Sequence, residues 1–235
     1  MVSPQNGTPA LPRPRAYLFT GAVLLGLAAF GALFVTVDQF YYGFASARFP
    51  SVGDSPWLAT LWGIVSRAHL VVLAAPFVIR WPRLLGFQVG KTAQYWRMLL
   101  VMLLANCGVI AAYLCLTGAT TPFSGDQWLV TEAIIVPVVE ETIWRGLVLA
   151  ILLGLLRALH SENASVHLAV WFGGLTFGML HLANALAGVP ALFAAIQALN
   201  AVVWGVVYGY ARAKTESLWP SMVLHAAMNI VVVLF

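Results

Sequence analysis

Glu140, Glu141 and Arg145 stand inside the apolar stretch EAIIVPVVEETIWRGLVLAILLGLL, residues 132–156, which is long enough to cross a bilayer. A charged side chain near the bilayer centre costs about 2.5–3.5 kcal/mol on insertion scales, so three together point to a function. Arg145 follows Glu141 by four residues, which puts both on one helical face and predicts an ion pair. Glu140 is rotated by about 100° and cannot share that guanidinium equally. One carboxylate is thus a candidate for a structural pair and the other for chemistry. Two later apolar stretches repeat the four-residue spacing: Phe177 and His181 in LTFGMLH, and His225 and Asn229 in LHAAMN. Intramembrane polar groups face a bundle interior, so Glu140, His181, His225 and Asn229 are expected to converge on one wet cavity. A desolvated carboxylate is a better base for taking a proton from water. An Asn amide and an imidazole N–H can stabilise negative charge developing on a carbonyl oxygen.

The elements that must position these groups are membrane spans. The chain of 235 residues is 61% hydrophobic and only 9% charged, against about 25% charged in a soluble domain. Its mean hydropathy is +0.89. The net charge of +4 sits in short loops between apolar runs, which is a topology pattern and not a nucleic-acid surface. Seven spans are predicted, at about 16–37, 57–79, 98–117, 128–156, 166–183, 191–211 and 217–235. The expected fold is therefore an all-α polytopic bundle: a single transmembrane domain over 16–235, preceded by a disordered cytoplasmic tail, 1–15. Pro137 should kink the fourth span one turn before the glutamates. Arg13 and Arg15 precede an apolar run that is too long for a signal peptide and lacks a clear cleavage site, so it reads as a retained span.

Nine basic residues (Arg13, Arg15, Arg80, Arg83, Lys91, Arg97, Arg157, Arg212 and Lys214) fall on one side of this topology and Arg48 alone on the other. The positive-inside rule then puts the N-terminus in the cytoplasm and, with seven spans, the C-terminus outside. Arg outnumbers Lys ten to two, and Ala, Leu, Val and Gly abound, as in proteins of GC-rich bacteria. A bacterial inner membrane is the expected location. Cys107 and Cys115, eight helical residues and about 12 Å apart, are too distant to bridge.

EETIWRG resembles the EExxxR motif of the CAAX protease and bacteriocin-processing family of intramembrane proteases. FGMLH is similar to its FxxxH motif and HAAMN to its HxxxN motif, and the three stand in the family's order on separate spans. The likeness covers roughly residues 125–235, with Trp144 where these proteins often carry Phe. It implies a glutamate-dependent endopeptidase without a cofactor. Glu140 would be the base that activates water, His181 its partner, and His225 and Asn229 the oxyanion stabilisers. Glu141 and Arg145 would brace the helix, while Phe177 packs to position His181. The implied partners are the bilayer and a membrane-embedded or lipid-anchored protein or peptide substrate, with no nucleic acid.

Other readings compete. Glu140, His181 and His225 could be zinc ligands, but HExxH is absent and no second-shell acid is evident for either histidine. Using all three as ligands would also leave no carboxylate to act as base, so a metal-independent hydrolase is expected, with no metal site. A non-catalytic immunity or scaffold protein would have no need of intact polar motifs. A proton-coupled transporter relaying through Glu140 and His181 should show repeats, and none is evident. Arg67 and His69 in the second span are read as structural, paired with Asp38 or Glu132. Glu132 and His167, near span ends, are read as snorkelling to water. His160 is a loop residue without an assigned role.

Overall fold

The computed structural model describes residues 13–48, 55–118, 125–186 and 190–234. Seven long helical segments form the bundle: α1 Arg13–Arg48, α2 Pro56–Arg80, α3 Trp96–Thr117, α4 residues 131–157, α5 Glu162–Leu180, α6 Ala191–Thr215 and α7 Trp219–Leu234. No strand occurs among the described residues, and the all-α class follows. The stretches Leu18–Tyr41, Pro56–Arg80, Thr92–Thr117, Glu162–Ala185 and Ala191–Thr215 are each long and apolar enough to cross a membrane. α7 has 16 residues, about 24 Å. α1 starts at Arg13 and runs for 36 residues. The loop expected after Val37 is helical instead, because DQFYYGFASAR contains no proline to stop the helix. The expected tail up to residue 12, Asp54 and the Asp38 side chain lie outside the described residues.

α4 is not one regular helix. Thr131–Ile135 and Thr142–Val148 are π-helical, and they flank regular turns at Val136–Glu141 and Leu149–Arg157. Pro137 is the local cause of the first widening. It has no N–H to offer the carbonyl four residues back, and a wider turn re-routes the ladder, as in the Val136 N–H bond to Thr131 O. The expected kink is realised as this change of winding. Glu140 and Glu141 thus sit between two π turns, and all seven residues of the second turn are buried.

Helices that carry the polar motifs meet through small residues. On α5, Gly174 faces Gly205 of α6 and Gly178 faces Ala198 and Val202, while Gly209 of α6 faces Val170. A Cβ on Gly178 would lie 2.7 Å from Ala198 O, and one on Gly205 3.2 Å from Gly174 Cα. This is the close backbone approach that small-xxx-small patterns allow in membranes. α2 docks on α4 in the same manner: a Cβ on Gly63 would lie 2.6 Å from Thr131 Oγ1, and that hydroxyl donates to Ala59 O at 2.9 Å. α1 packs Phe30 and Phe34 on Trp144, with centroids 6.3 and 5.5 Å apart. Trp144 of α4 therefore meets the first helix.

The basic segments gather at one end of the bundle. Lys91 bonds Glu216 at 2.5 Å, Arg212 donates to Leu84 O at 3.0 Å, Arg157 bonds Glu162, and Thr20 meets His160 at 3.1 Å. His167 bonds the Tyr210 hydroxyl at that same end. At the far end Gly125 donates to Val233 O at 2.8 Å. His160, without a role in the sequence reading, thus ties the start of α1 to the α4–α5 turn.

Candidate active site

Glu141 and Arg145 are paired as their spacing predicts. Arg145 Nη1 donates to Glu141 Oε1 at 2.9 Å, with both side chains almost fully buried. The same oxygen meets His225 Nδ1 at 2.9 Å, so α4 and α7 are joined at this carboxylate. The Arg145 guanidinium lies 4.3 Å over the Phe177 ring and 5.5 Å over Tyr208. Its place is made by Gly205, since a Cβ there would come within 3.1 Å of Arg145 Nη2. Four helices therefore meet at one buried cation.

Phe177 joins the separate motifs. Besides Arg145 it touches Trp144 at 5.8 Å, His181 edge-to-face at 4.8 Å and His225 at 6.4 Å between centroids. His181 directs Nδ1 to Phe177 O at 2.9 Å. It thereby satisfies one of the carbonyls that a helix end leaves without a partner, just where α5 passes into the turn His181–Ala185. A carbonyl can only accept, so Nδ1 carries the hydrogen and the neutral ring presents a lone pair at Nε2. For His225, an Nδ1–H directed at Glu141 leaves Nε2 an acceptor in the neutral ring and a donor only in the doubly protonated one.

Glu140 differs from its neighbour. It is half-buried, and among the described residues it makes no hydrogen bond or ion pair. Its charge nevertheless acts on His181, as does that of Arg145. Asn229, the other motif residue, donates from Nδ2 to Glu132 O at 2.9 Å and to Glu132 Oε2 at 3.4 Å. Glu132 is therefore part of the cluster, which corrects the snorkelling reading: the π turn at its position winds it inward against α7. Arg67 and Glu132, expected as partners, form no ion pair; the Arg67 charge reaches Glu132 only at longer range. His69 packs against Tyr41 with the rings tilted by 43° and their centroids 4.6 Å apart, between α2 and α1.

Two supporting residues escaped the sequence reading. Tyr208 is buried and stacks on His225 at 5.7 Å and 27°. Asn106 on α3 holds the Tyr208 hydroxyl at 3.0 Å and also donates to Leu224 O at 2.7 Å. A single Asn in an apolar run carries no period, but the GxxxG patterns at Gly174–Gly178 and Gly205–Gly209 were visible and marked the tight α5–α6 contact.

Among the described residues no group of three His, Cys, Asp or Glu converges in a way that could hold a metal ion. The Nδ1 bonds of His181 and His225 are nonetheless the kind that orient metal-ligating imidazoles. The statement that neither histidine has an acid behind it is thereby corrected, since Glu141 stands behind His225. The family model described as "Type II CAAX prenyl endopeptidase Rce1-like" matches residues 127–231. No curated protein and no solved structure matches the chain.

Proposed function

We propose, from the match of residues 127–231 to the family model of Rce1-like type II CAAX prenyl endopeptidases, that this membrane protein hydrolyses a peptide bond with water activated by Glu140. The observation that carries the reading is the division of labour between adjacent glutamates. Glu141 is committed to Arg145 and His225, whereas Glu140 is half-buried, uncommitted and within electrostatic reach of His181.

The chemistry follows from the donor and acceptor inventory. A water between Glu140 and His181 meets two acceptors, the carboxylate and imidazole Nε2. Its two hydrogens point at them, and an oxygen lone pair is left for the scissile carbonyl carbon. As the C–O bond forms, Glu140 takes the water proton and the carbonyl π electrons move to oxygen. His225, as the doubly protonated ring, donates from Nε2 to that oxyanion, and Asn229 turns an amide hydrogen toward it. Collapse of the intermediate breaks the C–N bond while the proton on Glu140 passes to the departing amine. Glu141 and Arg145 hold His225 and the helix; Phe177 holds His181.

The substrate is a membrane-associated protein or peptide. The family's name points to a prenylated C-terminal CAAX sequence, and a bacteriocin precursor or a C-terminal anchor tail are the other candidates. The reading includes a bacterial inner-membrane location with the basic end cytoplasmic. The test compares membrane proteomes of cells with the wild type and with Glu140→Gln, and cleavage of a quenched, farnesylated CAAX peptide by both purified proteins. Glu140→Gln should fold and leave the substrate uncut; full cleavage by that variant refutes the mechanism.

A further inference from the structure

Two charged residues beside the cluster have no part in the chemistry above: Glu132, in the first π turn of α4, and Arg67 on α2. The Asn229 amide nitrogen has two hydrogens, and its two acceptors belong to one residue, the Glu132 main-chain oxygen at 2.9 Å and carboxylate Oε2 at 3.4 Å. The reversed amide would set its own oxygen against a carbonyl and a carboxylate, so the network assigns the orientation. α2 reaches this point because Gly63 lets it dock on Thr131, the residue before Glu132. Arg67 stands four residues beyond Gly63, on the same helical face. It is held there by a 3.1 Å bond to Ser66 Oγ and by the Trp62 ring 5.9 Å away. Without forming an ion pair, Arg67 and Glu140 both lie near enough for their charges to act on Glu132. Three carboxylates, Glu132, Glu140 and Glu141, thus share two guanidiniums, and each guanidinium serves a glutamate other than Glu140.

We propose that Glu132 is a positioning residue that orients the Asn229 amide, with Arg67 of α2 as its counter-charge. The active site then draws on a helix outside the family-matched segment 127–231. The inference rests on the endopeptidase reading and adds to it. The shorter bond, to the main chain, tethers the amide nitrogen whatever side chain stands at 132, but one bond leaves the amide free to turn about it. The longer bond is the weaker, and its hydrogen is the one that turns to the oxyanion. The carboxylate sets the plane of the amide before reaction, and Arg67 offsets the repulsion between Glu132 and Glu140.

The experiment is a double-mutant cycle on the full chain in detergent, with the quenched farnesylated CAAX peptide as probe. Glu132→Ala should lower kcat about tenfold, less than the ~10²–10³ of an oxyanion donor removed outright because the Asn229 amide is still present, and leave KM within about twofold. Glu132→Gln should recover most of that loss, because its amide oxygen accepts the same hydrogen. Glu132→Ala should cost nothing further in an Asn229→Ala background. Additive losses, or wild-type kcat in Glu132→Ala, overturn the proposal. Arg67→Met should lower kcat in the wild type and have no effect beside Glu132→Gln; equal losses in both overturn the counter-charge role. Thermal unfolding of the same four cycle members is read as well. Non-additive shifts uphold the Glu132–Asn229 coupling and additive shifts refute it, whether or not the wild type cleaves this peptide. A wild type that cleaves no substrate counts against the endopeptidase reading alone.

Discussion

Arg145→Met should destabilise the protein strongly, while Glu140→Gln, its neighbour on the same helix, should not. Arg145 and Glu141 are 3% and 0% exposed and 2.9 Å apart. Removing one partner of a buried pair costs about 3–5 kcal/mol, because a buried charge is left uncompensated. His225 still reaches the same oxygen at 2.9 Å, which places the loss at the lower end, about 3 kcal/mol. The guanidinium also stacks on Phe177 and Tyr208, worth about 1 kcal/mol more, part of which a methionine sulfur retains. At roughly 2–4 °C per kcal/mol for a chain of this size, Tm should fall by about 8–16 °C. The assay is thermal unfolding in detergent followed by intrinsic fluorescence, for which the chain has nine tryptophans. Glu141→Gln added to Arg145→Met should restore part of the loss, since the stranded charge is gone. A fall of less than about 3 °C in Arg145→Met refutes the reasoning, because a single ordinary surface contact would account for it.

Three further outcomes are expected. Purified protein should hold less than one zinc per chain and keep its activity after long exposure to phenanthroline or EDTA; stoichiometric zinc, with activity lost on chelation and restored by metal, would make Glu140, His181 and His225 ligands. A reporter fused after Phe235 should read extracytoplasmic and one in the loop 80–97 cytoplasmic, and two cytoplasmic readings would refute the topology. At the α4–α5 turn, Arg157 donates to both Glu162 oxygens at 2.7 and 2.5 Å, and these bonds hold the Glu162 carboxyl below its ordinary value of 4.5. A depressed folded value means the pair's stabilisation is present above about pH 4.5 and lost as pH falls through the folded value. Both side chains are exposed, so the loss is only about 0.2–1 kcal/mol, read as the wild-type Tm advantage over Glu162→Gln vanishing in acid.

The part of the fold that sequence revealed was carried by two local signals. Apolar runs of bilayer length marked the helices, and four-residue spacings marked which residues share a face. Both survive in the structure because they depend on the residue's own helix: Glu141 meets Arg145, and Phe177 meets His181. The misread position was Glu132. By count it lies near the start of its span, where a carboxylate can reach water, but the π turn that contains it changes the winding and sends the residue inward to Asn229. A regular helical wheel cannot show this, and only Pro137, one turn on, hinted that the ladder would be irregular.

Tyr208 and Asn106, which hold the site from other helices, left no pattern, and the reason is physical. His225 is fixed by Glu141 at Nδ1, by the face of Tyr208 and by the edge of Phe177. Tyr208 is in turn fixed by Asn106, which lies 102 residues earlier in the chain. Each such role needs one donor or one ring at one point in space, and any neighbouring helix can supply it at any position. A group that handles the substrate must keep its register with other such groups, so it writes a spacing into the sequence. A group that only holds a side chain of another helix answers to packing alone, whereas one that holds a side chain of its own helix, as Glu141 and Arg145 do, still shows a spacing. The reach of α2 and α3 into the cluster, through Arg67 and Asn106, therefore became visible only when the helices were seen together, although both residues stand in plain view within apolar spans.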